Sequence, residues 1–122
     1  MRGTRGTKGS PREPWEKVAA LSKVLGPTLL MVALGTTDRT AVTRWAEPGA
    51  DEMGDEALAR LNTAHRALAI ILDGGDDAAV ARAWFIGANP RLEDDSPINA
   101  IHDGLHGQVV AAAQAFADDV WP

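Results

Sequence analysis

Residues 55–72 read DEALARLNTAHRALAIIL, and this stretch decides the fold. Leu58, Leu61, Ala64, His65, Leu68 and Ile71/Leu72 recur at three- and four-residue intervals, so one stripe of an α-helix carries them. Gly74-Gly75 breaks the helix, and the acidic Pro/Gly stretch Glu47–Gly54 is the loop before it. The same period returns on both sides. Upstream, Trp15, Val18, Ala19, Leu21 and Leu25 mark a helix that Gly26 stops. Pro27 suits the first turn of the next, which carries Leu29–Leu34 and ends at Gly35. A strand is the alternative for LLMVAL, and its helical flanks argue against it. Thr36-Thr37-Asp38 caps a third helix in which Ala41, Val42 and Trp45 point one way. Downstream, Asp76–Phe85 is a helix, Gly87–Asp95 a loop, and Ser96-Pro97 opens a short helix through Ile98 and Ile101 that Gly104 ends. The last helix, about His106 to Ala117, has Val109, Val110, Ala113 and Phe116 as its apolar face. The expectation is an all-α fold of about seven helices.

Composition narrows the function classes. The 122 residues are 45% apolar and include no cysteine. Disulfides, thiolate metal sites and cysteine nucleophiles are therefore excluded, and a reducing cytoplasm fits. The basic N-terminus is not followed by an apolar stretch, so it does not read as a signal peptide. The runs Leu29–Leu34 and Ala67–Leu72 fall far short of the roughly 20 residues that span a bilayer. Charge is divided along the chain. Residues 1–46 hold eight Lys/Arg against three acids, and residues 47–122 hold four Arg against fourteen acids. The two parts therefore suit different partners, although two solvated surfaces of opposite sign account for the same numbers. Residues 1–14, MRGTRGTKGSPREP, read as a flexible basic arm.

The candidate sites come from three patterns. Pro27 to Trp45 has two short helices and a Gly-containing turn, as in a helix-turn-helix. The exposed Arg39, Thr40, Thr43 and Arg44 would then face phosphates and base edges. The turn is about one residue longer than usual, and a plain hairpin with a solvated Arg/Thr face explains the same residues. His102 and His106 are four apart but interrupted by Gly104, which reads as surface or capping histidines rather than a metal site. His65, on the apolar stripe, reads as a hydrogen-bonded core histidine. Trp121, next to the end of the sequence, either folds back on the protein's own core or enters a partner. Asp76-Asp77 and Glu93-Asp94-Asp95 stand at helix starts and lack calcium-loop spacing. No nucleophile stands beside a general base, and no glycine-rich phosphate cradle is present. The chain reads as a binding protein without catalytic residues, cofactor or metal.

Ala83-Trp84-Phe85, Asn89-Pro90, Leu92, Ser96-Pro97 with Ile98 and Ile101, Gly104, and Val109-Val110 resemble the toxin-binding domain of the Xre/MbcA/ParS antitoxins. Leu25–Leu72, with Arg44-Trp45, resembles the Xre-like helical domain that precedes it. The resemblance implies an arm at 1–14, an Xre-like domain with a helix-turn-helix at 15–73, and a toxin-binding domain at 74–122. It implies a RES-domain, NAD-degrading toxin as partner, self-association, and binding to promoter DNA through Arg39, Thr40, Thr43 and Arg44. The toxin-binding residues it implies are Trp84, Asn89, Pro90, Arg91, Asp118, Asp119, Val120, Trp121 and Pro122, the last three reaching the toxin's cleft. The alternative is a stand-alone helix-turn-helix transcriptional regulator whose C-terminal half dimerises. Neither reading involves a membrane, and both are cytoplasmic.

Overall fold

A computed structural model describes residues 12–49 and 53–119. Among them are seven α-helices and no strand: α1 (Pro14–Leu25), α2 (Pro27–Leu34), α3 (Ala41–Trp45), α4 (Asp55–Asp73), α5 (Ala78–Ile86), α6 (Pro97–His102) and α7 (His106–Ala117), with a 3-10 turn at Pro90–Leu92. No helix among the described residues is long and apolar enough to cross a membrane. Most of the arm at 1–14 lies outside the described residues. Its last residue, Pro14, is the first of α1, and the Glu16 carboxylate accepts from the backbone N–H of Glu13 at 2.9 Å and of Arg12 at 3.1 Å.

Proline and glycine set the helix ends. Gly26 (φ +83°) turns the chain from α1 into α2, and Pro27 fills a position whose N–H would be unpaired anyway. LLMVAL is helical, with Leu30, Ala33 and Leu34 buried. α2 ends on Gly35 at φ +80°, where the N–H groups of Gly35 and Thr36 both donate to the Met31 carbonyl, at 2.9 and 3.1 Å. The third helix is shorter than expected. It starts at Ala41, with six residues between it and the end of α2. The cause is Asp38: its Oδ1 accepts from the Thr40 N–H at 2.9 Å and the Thr40 hydroxyl at 2.8 Å. That side-chain turn competes with helix and leaves Arg39 and Thr40 outside it. α5 also starts later than expected, because Asp77 must stay extended (ψ 178°) for its carboxylate to accept from the Val80 N–H at 3.0 Å. α6 opens as expected, with Ser96 Oγ accepting from the Asn99 N–H at 3.1 Å and Pro97 first in the helix.

α4 is the central helix, packed against α1, α2, α5, α6 and most extensively α7. Its inward face is Leu61, Ala64, Ala67, Leu68 and Ile71. Leu72, placed on the stripe from its spacing, is 39% exposed, and His65 lies at the edge, half-buried. α7 runs alongside in the same direction. His106 at its start meets Thr63, and a Cβ on Gly74 would lie 3.0 Å from that of Ala117 at its end. The inward face of α7 is Val109, Ala112 and Ala113. Phe116, expected there, is 39% exposed, and Val110 is half-buried. One continuous apolar cluster joins residues from all seven helices. Two arginines stitch its outside. Arg60 donates through Nε to the His102 carbonyl (3.1 Å) and through Nη1 to that of Leu34 (3.5 Å). Arg82 Nη1 donates to the Leu25 carbonyl at 2.6 Å. The carbonyls left open at the C-terminal ends of α1, α2 and α6 thus meet a cation.

Candidate functional site

The loop between α5 and α6 is closed on itself by Asn89. Its N–H donates to the Asp95 carbonyl at 3.1 Å, and its own carbonyl accepts from the N–H groups of Leu92 and Asp94, both at 2.9 Å. Its side-chain oxygen accepts from the Arg91 N–H at 2.9 Å. Within this tied loop Glu93 (φ 57°) and Asp94 (φ 68°) take left-handed conformations that are uncommon for non-glycine residues. Leu92, 5% exposed, pins the loop to the core. Pro90 and Arg91 are thereby presented outward from a fixed base.

That loop forms one wall of a cleft of about 290 Å³, with α5 and α7 as the others. Trp84 from α5 and Phe116 from α7 lie 6.4 Å apart between ring centroids, and Phe85 meets Trp84 edge-on at 5.1 Å. Ala83, Ala88, Ala112 and Ala115 keep the walls thin. The Trp84 indole N–H is buried with no hydrogen-bond acceptor among the described residues. Arg91 and Asp119 supply the charge around the apolar lining. Such a surface accepts an apolar or aromatic side chain and orients it with a flanking charge of either sign.

Five of the nine residues expected at a toxin interface line this one cleft: Trp84, Asn89, Pro90, Arg91 and Asp119. Asp118 is exposed beside it and accepts from Gln114 Nε2 at 3.1 Å. Val120, Trp121 and Pro122 lie outside the described residues. The sequence reading missed Phe116, Ala83, Gly87, Ala88, Ala112 and Ala115. Only Phe116 carries a signal that could have found it. It sits one turn after Ala112, beside α7's inward face rather than on it.

The four residues assigned to DNA are all exposed. Arg39 and Thr40 precede α3, whereas Thr43 and Arg44 are on it. Thr40 and Arg44 are joined to each other and to Asp38: Arg44 Nη1 donates to Thr40 Oγ1 at 2.6 Å and to Asp38 Oδ2 at 3.2 Å. These hydrogen bonds, with Thr40's foremost, hold the Asp38 carboxyl below the usual aspartate range.

The histidine readings are exchanged. His65 makes no hydrogen bond among the described residues; burial and then the Lys17 charge push its pKa down. The histidine bonded to a buried residue is His106, itself half-buried, whose Nδ1 lies 2.7 Å from Thr63 Oγ1. Thr63 is the buried polar residue of α4. Its hydroxyl also lies 3.0 Å from the Ala59 carbonyl, so it bridges His106 to the backbone of α4. A contact 43 residues away in sequence chose His106, and no local pattern shows it. His102 is exposed, 3.4 Å from Asp103. Among the described residues no three His, Cys, Asp or Glu side chains converge as a metal site would need. In comparisons with known proteins, no family model, no curated protein and no solved structure matches the chain.

Proposed function

We propose that the chain is a type II antitoxin that binds and inhibits a RES-domain, NAD-degrading toxin, with the Trp84 cleft as part of the contact surface. The observation that supports this reading is the gathering of Trp84, Asn89, Pro90, Arg91 and Asp119 around one apolar cleft. The resemblance to the Xre/MbcA/ParS antitoxins singles out those same residues, from positions spread along the C-terminal part of the sequence. Asp119 lines the cleft, and Val120, Trp121 and Pro122 come directly after it in the chain. In this reading Trp121 anchors in the toxin while Asp118 and Asp119 meet Arg or Lys that otherwise hold the phosphates of NAD.

The test is co-expression with a RES-domain protein encoded next to this chain's gene, followed by size-exclusion chromatography and assay of NAD consumption. Arg91→Glu and Asp119→Arg, both at exposed positions, weaken the complex about tenfold or more without changing melting temperature. Truncation after Ala117 costs on the order of 2–4 kcal/mol of affinity, the scale of a hot-spot loss. Full inhibition by all three stable variants sinks the reading. A second activity, repression of the operon, rests on the exposed Arg39, Thr40, Thr43 and Arg44. It belongs equally to the alternative reading, a transcriptional regulator without a toxin partner. Promoter mobility shift with Arg39→Ala/Arg44→Ala tests it: unchanged affinity removes this segment from any DNA interface.

A further inference from the structure

A groove at the junction of α1, α4 and α7 collects basic side chains. Lys17 enters it from α1, and Asn62, Thr63, His65 and Arg66 from α4, with Val110 of α7 opposite. The groove is about 460 Å³, and no carboxylate lines it. That runs against a composition of 17 acids to 12 Lys/Arg. Among the described residues neither Lys17 nor Arg66 forms an ion pair. Lys17 Nζ donates to Asn62 Oδ1 at 2.9 Å. This fixes the Asn62 amide with its NH2 as a remaining donor. The groove therefore offers an ammonium, a guanidinium and an amide NH2, all donors. Thr63 connects it to His106 at the start of α7, where no side chain caps the helix and no acid occupies the first turn. The depressed pKa of His65 is consistent with this. Burial is the larger cause of that depression and the Lys17 charge the second; Lys17 and Arg66 are the charged groups that line the groove with His65.

We propose that this groove binds a phosphate-type oxyanion, held by the Lys17 ammonium, the Arg66 guanidinium and the Asn62 amide. Lys17 and Arg66 approach from different helices, so the anion joins α1 to α4. A phosphate suits donors in this arrangement, because the guanidinium fork and the ammonium engage separate oxygens. The site shares no residue with the Trp84 cleft and does not depend on the toxin reading.

The test is an NMR titration of the full chain with inorganic phosphate, against sodium chloride at matched ionic strength. The expected result is saturable shifts at Asn62, His65 and Arg66 with phosphate only, and a rise in the His65 pKa as the bound anion offsets Lys17. Arg66→Gln, at an exposed position, weakens binding about tenfold, the scale of one charge-assisted contact. Lys17→Gln does the same. If its melting temperature falls through loss of the Asn62 contact, Arg66→Gln alone decides. A nucleoside 5′-monophosphate in a parallel titration separates two sources of the same chemistry. Tighter binding of the nucleotide assigns the groove to phosphate monoesters, and equal binding assigns it to the free anion. Absence of saturation with either, identical shifts with chloride, or unchanged binding by Arg66→Gln overturns the proposal.

Discussion

Arg60→Ala removes one side chain and loosens three helices from one another. Arg60 reaches from the second turn of α4 to the His102 carbonyl at the end of α6 and the Leu34 carbonyl at the end of α2. Its side chain is 20% exposed. A hydrogen bond from a charged donor contributes roughly 1.5–3 kcal/mol, and the 3.1 Å bond to the carbonyl of the exposed His102 falls at the low end of that range. The 3.5 Å contact to Leu34 is at the limit of a hydrogen bond and adds mainly a charge near the end of the α2 dipole, a few tenths of a kcal/mol. Glu56, 4.0 Å away and 90% exposed, adds nothing measurable. Water reaches part of what the substitution opens, which offsets some of the loss. The expected cost is about 2 kcal/mol. For a chain of this length that lowers the melting temperature by roughly 6–10 °C. Urea unfolding should show the midpoint falling by about 1 M at an unchanged slope. Arg60→Lys recovers less than half, because an ammonium cannot span two carbonyls. Gly35 gives an internal check. A Cβ there would lie 2.5 Å from Arg60 Nη1, so Gly35→Ala costs less in the Arg60→Ala background than in the native chain. A loss below about 0.5 kcal/mol, full rescue by lysine, or strict additivity with Gly35→Ala refutes the tethering argument.

Trp84→Phe discards a buried N–H that has no acceptor among the described residues, a saving of about 1–3 kcal/mol that offsets the lost volume and apolar area. Its net effect on calorimetric stability is within about 1 kcal/mol, against roughly 3–5 kcal/mol lost in Trp84→Ala; a loss above about 2 kcal/mol in the phenylalanine variant shows that the indole N–H is satisfied after all. Stability rises with pH across two windows, because every shift resolved among the described residues lowers a pKa. Backbone hydrogen bonds lower Glu16; hydrogen bonds from Thr40 and Arg44 lower Asp38, and those from Asn99 and Ser96 lower Asp95. Burial, then Lys17, lowers His65. The carboxylate contributions are complete above the unfolded value of about 4 and are lost as pH falls through the lower folded values. The His65 contribution is complete above the unfolded value of about 6.5 and is lost as pH falls below it. Melting temperatures from acid to neutral pH check this: Asp38→Asn and Asp95→Asn flatten the acid window, His65→Gln flattens the upper one, and a curve that rises toward acid contradicts the assignment.

The helices were legible because their punctuation is local. Gly26-Pro27, Gly35, Gly74-Gly75, Ser96-Pro97 and Gly104 each act within a few residues, through φ or a missing N–H. The start of α3 was misplaced because Asp38 has two local options, capping a helix directly or closing on Thr40 first, and spacing does not rank them. The faces were less legible. Leu72, Phe116 and the two histidines all fit the helical period, and only the partner across the interface decides which of them it buries. Of the cleft, the sequence exposed the residues with distinctive side chains. The alanines and Gly87 that shape its walls carry no chemical label, and they become a surface only when α5 and α7 meet.

The position of Phe116 results from how closely α7 approaches α4. α4 buries Ala64 and Ala67, α7 buries Ala112 and Ala113, and at their ends Gly74 lies against Ala117. Small side chains let two helix axes come together, and an aromatic ring cannot enter such a seam without forcing it apart. Phe116 must therefore leave the seam, and on the side of α5 it meets Trp84. The two rings stay 6.4 Å apart between centroids, and the Asn89-tied loop, which packs on α7 through its 3-10 turn, forms the third wall beside them. The apolar cleft is thus a consequence of tight α4–α7 packing combined with a rigid loop. Widening the seam would draw Phe116 inward and remove the cleft, which links the stability of the core directly to the surface offered to a partner.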